Sequence, residues 1–503
     1  MGIGHRAGLV ALLAAGVWSV AAAAPPAERG DEGIGQRVRP LVEQAMAVEA
    51  TPALQVAVVL KDGRAWTGAF GVQDLQTGEA ATVESRFYIA STTKALTALA
   101  AARRHHRGII DLDASITKHL PGVTLPDCVG EEEITLKSLL THTHGLRNAP
   151  LQWRTAFTGE FTNELLIGMI ARSECHASRE FRYSNLGYDL IGLVLDPVQT
   201  GGWRRIVDDE VLRPLGMVHT TSVRSTLDEG VLAMPHETEP GGMRRIPLTK
   251  GDANLGAAGG HFTTAEDLGR LLLAEMNRGV LGGKQVIEPE VIEATQQRWV
   301  TQDRTFFHYE RTHWGLGWDI GLYEGQTVYH RPGGFAGYYS NAAFLPEQGL
   351  GVVVLVNGGA LSAGLAEAVA GAIYDEFHDR DDVQQRLAAR LDDLRSRKER
   401  VVLQAPPQMP AFAEQPTEAL DAYVGKYFNS DWGTMTVERS GAGLQISMGP
   451  MRGELRPVAG EADVFFTMMR GRPDMVEFAA EGSAPKASLK FRRDAEIFTR
   501  SRP

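Results

Sequence analysis

The sequence predicts a mixed α and β main domain over residues 35–377 and a small all-β domain over 417–503, with a charged helix and proline-rich linker over 378–416 between them. Three observations predict this. Up to about residue 377, apolar strand-like runs alternate with helical patterns and glycine-punctuated loops. From Asp379 to Arg400 the sequence becomes almost entirely charged, until Ala405-Pro406-Pro407-Gln408-Met409-Pro410 breaks it. Beyond the break, short β-like runs are separated by glycine and serine, as in a meander or small barrel. A chain of 503 residues has room for two or three domains of about 150 residues each.

The elements follow in order. His5 and Arg6 precede an apolar run from Ala7 to Val20, and Ala21-Ala22-Ala23 stands just before Ala24-Pro25-Pro26. Residues 1–23 therefore read as a secretory signal peptide, and the expected location is periplasmic or extracellular. The run is shorter than the ~20 apolar residues a bilayer span needs, and no later stretch supplies one. No integral membrane span is expected after signal cleavage. Val56 to Leu60, followed by Lys61-Asp62-Gly63-Arg64, reads as a buried strand and its turn, and Gly351 to Asn357 as a late strand of the same kind. In the charged segment Leu387, Leu391 and Leu394 recur at helical spacing, which predicts a solvated helix ahead of the linker. In the tail, β-like runs are expected at Thr434 to Glu438, Leu444 to Ser447, Val464 to Thr467, Met475 to Phe478 and Leu489 to Arg492.

Composition removes several function classes. Fifty-one basic against 62 acidic side chains leave a formal charge of −11, with no basic block to neutralise phosphates, so nucleic acid is not an expected partner. Cys128 and Cys175 fit neither a disulfide framework nor a four-ligand zinc site, and no spacing suggests a metal. Export would place the two cysteines in an oxidising space where they can pair.

The chemistry has to be sought in the main domain, which carries no G-x-S-x-G elbow and no H-E-x-x-H. Ser-x-x-Lys occurs three times, at Ser91 to Lys94, Ser115 to Lys118 and Ser483 to Lys486. A nucleophilic serine assisted by a lysine needs both on one helical face, three positions apart, with the serine at a helix N-terminus. Only Ser91 and Lys94 meet this condition, opening the small apolar run Ala95 to Ala102, which Arg103 to Arg107 and Gly108 close. Pro485 disfavours a helical turn in the third copy, and Pro121-Gly122 cuts off the second. Tyr-x-Asn likewise recurs, at Tyr183, Tyr339 and Tyr427. Tyr183-Ser184-Asn185 sits on a loop entering the apolar run Leu186 to Leu193, where a phenol can reach a serine. The third element is a glycine-rich strand edge with a cation, His330-Arg331-Pro332-Gly333-Gly334-Phe335-Ala336-Gly337-Tyr338.

With these motifs in order, the sequence resembles the serine β-lactamase and penicillin-binding-protein-like hydrolases, particularly the branch of class C β-lactamases, family VIII esterases and D-aminopeptidases. The resemblance covers roughly residues 40 to 375. It includes Phe87-Tyr88-Ile89-Ala90 before the serine, Ile134 to Leu146, Arg213-Pro214-Leu215-Gly216-Met217, and Ala258-Gly259-Gly260-His261-Phe262-Thr263-Thr264. The tail, with Tyr423-Val424-Gly425-Lys426-Tyr427, looks like the lipocalin-like domain that accompanies some members. The resemblance implies an antiparallel sheet flanked by helices with a helical subdomain, and a hydrolase that cleaves an ester, amide or peptide with no cofactor. Ser91 would attack the carbonyl, and Lys94 and Tyr183 would manage its proton, with either of them as the base. Asn185 would hold Lys94 and a polar group of a small-molecule or peptide substrate. The N–H of Ser91 and one from the Gly333-Gly334-Phe335 edge would form an oxyanion hole, where each donor is worth about 3–4 kcal/mol in the transition state.

The third motif holds one residue too many for the usual cation-x-Gly pattern. Aligned from the left, His330 is the cation, and the strand-like Thr327-Val328-Tyr329 leading into it favours that choice; aligned back from Gly337-Tyr338, the cation is Arg331. Pro332 also removes a backbone donor from this edge. Other features have plainer readings. His142 and His144 suit a structural turn at Gly145 better than a metal site, Thr264 with Asp267 reads as a helix cap, and Trp314 and Trp318 read as core aromatics. The competing readings are a β-lactamase, a D-amino-acid peptidase acting on peptidoglycan-like substrates, an acyltransferase, and a protein that binds a cell-wall peptide or β-lactam without turnover. A β module such as the tail can gate, adhere or build a homo-oligomer.

Overall fold

The computed structural model describes residues 27–501 except 49–50, 131–133, 177, 197–201, 241, 404–408, 415–416, 470–472, 482–483 and 493–495. The expected signal peptide lies outside the described residues, as does part of the linker. Nine strands form one antiparallel sheet: β1 (Ala27–Gly30), β2 (Ala53–Leu60), β3 (Ala65–Gly71), β4 (Val300–Phe306), β5 (Tyr309–Trp314), β6 (Asp319–Tyr323), β7 (Gln326–Phe335), β8 (Tyr338–Leu345) and β9 (Leu350–Val356). Their order is β1-β3-β2-β9-β8-β7-β6-β5-β4. The two runs expected as buried strands are neighbours, with Val56 opposite Val354 and Val58 opposite Val352. Both are continuous apolar runs because helices cover both faces of the sheet.

One face is covered by α1 (Glu32–Val48), α5 (Ala360–Phe377) and α6 (Val383–Val402). The other packs against α4 (Ala265–Met276) and a helical subdomain that contains α2 (Thr93–His106) and α3 (Asn185–Leu195). This is the β-lactamase-like arrangement that the sequence led us to expect. The charged helix differs from its expectation. α6 is not a solvated spacer: Val383, Leu387, Leu391 and Leu394 are buried against α5, while Arg386 and Arg390 both reach the buried Asp375 at 2.8 Å. A stripe of one apolar residue per turn is enough to seat a helix whose remaining faces are charged. Cys128 and Cys175 form a disulfide with Cα atoms 6.1 Å apart. Among the described residues, no helix is long and apolar enough to cross a membrane.

The tail is a closed barrel of eight sequential antiparallel strands, from Gly425–Asn429 to Ile497–Arg500, whose last strand pairs with its first. Closure gives every strand of the barrel two neighbours. The barrel docks on the segment Ala149–Thr158 of the helical subdomain. Arg154 donates to the carbonyls of Ser430 (2.9 Å) and Asp431 (2.6 Å), Thr434 donates its N–H to the Glu160 carboxylate (2.8 Å), and Trp153 packs on Trp432.

Candidate active site

Ser91 lies in a one-turn 3-10 helix, Ala90–Thr92, that runs straight into α2. Ala90 before it has φ +42°, a left-handed conformation that costs a non-glycine residue of order 1–3 kcal/mol and persists only where its surroundings impose it. They do so here. Ile89 donates its N–H to His261 O (3.0 Å), and Ser340 Oγ donates to Ile89 O (3.0 Å). Lys94, one turn further along α2, is fully buried because the helix that carries it is packed all round by Ala and Leu side chains.

Four of the expected residues meet. Lys94 Nζ donates to Ser91 Oγ (3.0 Å), Asn185 Oδ1 (2.8 Å) and Ala258 O (2.7 Å), and the Tyr183 hydroxyl donates to Ser91 Oγ (2.8 Å). Asn185 is placed by α3, whose N-terminus is capped by Ser184 Oγ accepting the Leu186 N–H. Tyr183 is 38% exposed as a residue, while its hydroxyl is turned inward to the serine. Desolvation pushes this phenol up, yet the charges of Lys94 and Arg331, with the hydrogen bond to Ser91, hold it below the ordinary tyrosine range. Burial lowers Lys94, against the opposing pull of Tyr183.

Gly333 and Gly334 lie on the far side of Ser91. The pairing of β7 with β6 stops at His330 opposite Asp319, so Arg331 to Phe335 present an edge that β6 does not cover. The nucleophile turn takes that place, with Thr92 Oγ1 donating to Arg331 O at 3.0 Å. A Cβ on Gly333 would overlap the Ile89 carbonyl oxygen, which is why glycine stands there.

His330 is not brought to the site. Successive strand residues point to opposite faces, and His330 is buried on the α5 face, stacked 4.0 Å from Tyr309 and accepting from Arg311 Nε at 3.1 Å. Burial and the nearby Arg311 and Arg331 depress its pKa far below the usual histidine value, so it is neutral and cannot serve as the expected cation. Arg331, the alternative reading, faces the site: its guanidinium lies 5.4 Å from the Tyr183 ring and 4.9 Å from Trp314, and it pairs with Asp319 at 3.2 Å. The strand-like lead-in favoured His330, but the alternation of side chains decided for Arg331.

Other expectations resolve locally. Ser115 caps the short helix Ile116–His119, Tyr339 bonds Glu367 on the α5 face, and Tyr427 points into the barrel, so these copies of the motifs are structural. Ser483 lies outside the described residues. His144 accepts the Leu146 N–H, a turn contact, whereas His142 has more to do. Its ring lies 4.7 Å from that of Tyr183 and its Nδ1 accepts the Ser184 N–H, so it sets the loop that aims the phenol. Trp314, read as core, backs this layer, with Tyr183 6.0 Å away. Sequence reading passed over His142 in this role, and also Thr92; only the density of polar residues around Thr141 to His144 could have signalled the first of them.

Fold and site together define the class: the serine β-lactamase and penicillin-binding-protein-like fold, with serine, lysine and tyrosine gathered where sheet and helical subdomain meet. The chain belongs to the Beta-lactamase family, whose model matches residues 38–373. It is similar to Protein flp of Staphylococcus aureus (strain MW2), 26% identical over 330 residues, which is 64% of this chain and 63% of that relative. The chain thus spans less than two thirds of the length of that curated relative. Among solved structures it is similar to the octameric penicillin-binding protein homologue from Pyrococcus abyssi, with TM-score 0.59 and 19% identity over 92% of this chain and 99% of the other. It is also similar to D-amino acid amidase from Ochrobactrum anthropi SV3, with TM-score 0.58 and 19% identity over 69% and 99%.

Proposed function

We propose that the protein is an exported serine hydrolase that opens an ester, amide or peptide bond through an acyl-Ser91 intermediate. The observation that carries the reading is the double contact on Ser91 Oγ, from Tyr183 at 2.8 Å and Lys94 at 3.0 Å. With three acceptors around it, Lys94 uses the full donor capacity of an ammonium. After Tyr183 gives up its own proton to solvent, which the charges of Lys94 and Arg331 favour, the contact with Ser91 reverses and the Ser91 proton passes to the phenolate oxygen. Ser91 Oγ bonds to the carbonyl carbon, its N–H and one from the Gly333 to Phe335 edge take the oxyanion, and Tyr183 returns the proton to the leaving group. Water then releases the acyl group by the same relay in reverse.

The disulfide supports export. The D-amino acid amidase likeness supports amino-acid-derived amides among the substrates, and the octameric homologue supports a homo-oligomer. Intact-protein mass spectrometry after mixing with a p-nitrophenyl ester, a β-lactam and a fluorophosphonate tests the mechanism. Adducts on the parent that vanish in Ser91→Ala are expected, with turnover falling by at least about 10³-fold. The adduct that clears identifies the substrate class. A β-lactam adduct that persists while the ester never reacts favours the non-turnover binder, and equal labelling of the mutant refutes Ser91 as nucleophile.

A further inference from the structure

The cavity beside Ser91 encloses ≈ 210 Å³ and is walled by Asn185, Gly334, Phe335 and two ionisable side chains that the acyl-transfer steps do not use, Asp189 and Lys250. Lys250 keeps 5% of its surface exposed. Its ammonium donates to the carbonyls of Ala156 and Asn254, and the rings of Phe335 and Tyr88 stand 4.4 and 5.5 Å from it. Among the described residues no carboxylate forms an ion pair with it; the acid that acts on it, Asp189, accepts from Thr155 Oγ1 at 3.0 Å. An ammonium taken out of water with carbonyls and ring faces for company is costly to the fold. Two of its three protons are committed, which leaves one for a ligand in the cavity.

The two sides of Ser91 are chemically distinct. Ser91 lines the Lys250 cavity, whereas Tyr183, which bonds Ser91 Oγ and returns the proton to the leaving group, does not. The leaving group therefore departs on the Tyr183 side, and the acyl group that stays on Ser91 fills the cavity. We propose that Lys250 is a specificity residue and that the preferred acyl group ends in a carboxylate, which becomes the counter-ion of Lys250. This rests on the acyl-Ser91 reading. In the reaction the Ser91 Oγ–carbon bond forms, the carbon–leaving-group bond breaks, the leaving group takes the serine proton, and water releases a dicarboxylate.

The test compares kcat/KM for three p-nitrophenyl esters: hexanoate, mono-adipate of the same carbon count, and 6-aminohexanoate. Wild type, Lys250→Met, Lys250→Arg and a Ser91→Ala blank are assayed, with circular dichroism to verify folding. The wild type is expected to favour adipate over hexanoate by about ten-fold or more, mostly through KM. Lys250→Met should collapse that ratio to about one, and Lys250→Arg should keep part of it. Ser91-dependent turnover of hexanoate without an adipate preference overturns the proposal, as does a preference that survives in Lys250→Met or goes to 6-aminohexanoate. The wild-type ratio decides even if a variant does not fold. If none of the esters is turned over in a Ser91-dependent way, the acyl-Ser91 reading itself fails and this inference falls with it.

Discussion

At the scale of single residues, the site depends on charges placed to disagree with their surroundings. Arg331 lies over the Tyr183 ring and helps hold its phenol down, so removing it raises the phenol. In Arg331→Gln the acidic limb of the kcat/KM–pH profile should move to higher pH, and activity at pH 7 should fall by about 10- to 100-fold. His330→Gln should leave that limb in place, because His330 is neutral and on the other face. An unmoved limb in Arg331→Gln would mean that the cation at Tyr183 is unimportant. Burial brings Lys250 down to about 7, with Asp189 the acidic group facing it. Any preference for a carboxylate-ended ester should therefore be strongest below pH 7 and fade as pH rises through that value, since Lys250 loses its proton. In Lys250→Arg the remaining preference should be flat over the same range, because arginine stays charged.

At the scale of elements, close approach and burial decide what the pattern leaves open. A Gly333→Ala side chain has to push β7 away from the Ile89 carbonyl, so a loss of about 1–3 kcal/mol in stability is expected, with a larger loss of acylation rate. Urea unfolding and fluorophosphonate labelling measured on one sample separate the two effects. Helix α6 makes the opposite point. Its charges dominate the sequence, yet Leu391 is buried against α5, so Leu391→Ala should cost about 2–5 kcal/mol, where a solvated helix would lose almost nothing. Thr264 was legible as a cap and does accept the Asp267 N–H at 3.2 Å. Asp267 goes on to accept the His219 N–H and the Thr220 hydroxyl, tertiary contacts that no local spacing announces.

At the scale of the whole molecule, the barrel and the catalytic cavity share a wall. Arg154 and Glu160 grip the barrel, while Thr155, Ala156 and Phe157 between them line the cavity beside Ser91. Arg154→Ala leaves the carbonyls of Glu160, Ser430 and Asp431 without their side-chain donor. It should loosen the barrel, raise protease cleavage between residues 403 and 424, and reduce kcat/KM; unchanged proteolysis would show that the docking is held elsewhere. The Cys128–Cys175 bond closes a loop of 47 residues, worth about 4 kcal/mol in the chain-entropy model, so urea unfolding with and without a reductant should separate by up to that amount.

Much of this molecule is local and was therefore readable. Short apolar runs bounded by turn residues are enough to call for strands, the Ala-rich run after Ser91 for a buried helix, and Ser91 and Lys94 must share a face because a helix places residues three apart together. The order of motifs was sufficient to indicate the family fold, since that fold is a fixed sequence of such elements. Tertiary structure alone decided the contacts between distant segments. Tyr183 reaches Ser91 across 92 positions, Lys250 joins the same cavity, α6 finds α5, and the two cysteines meet. The choice of Arg331 over His330 belongs here too: which face of a strand looks toward the nucleophile depends on what packs on either side of the sheet, and a single strand's sequence carries only the alternation.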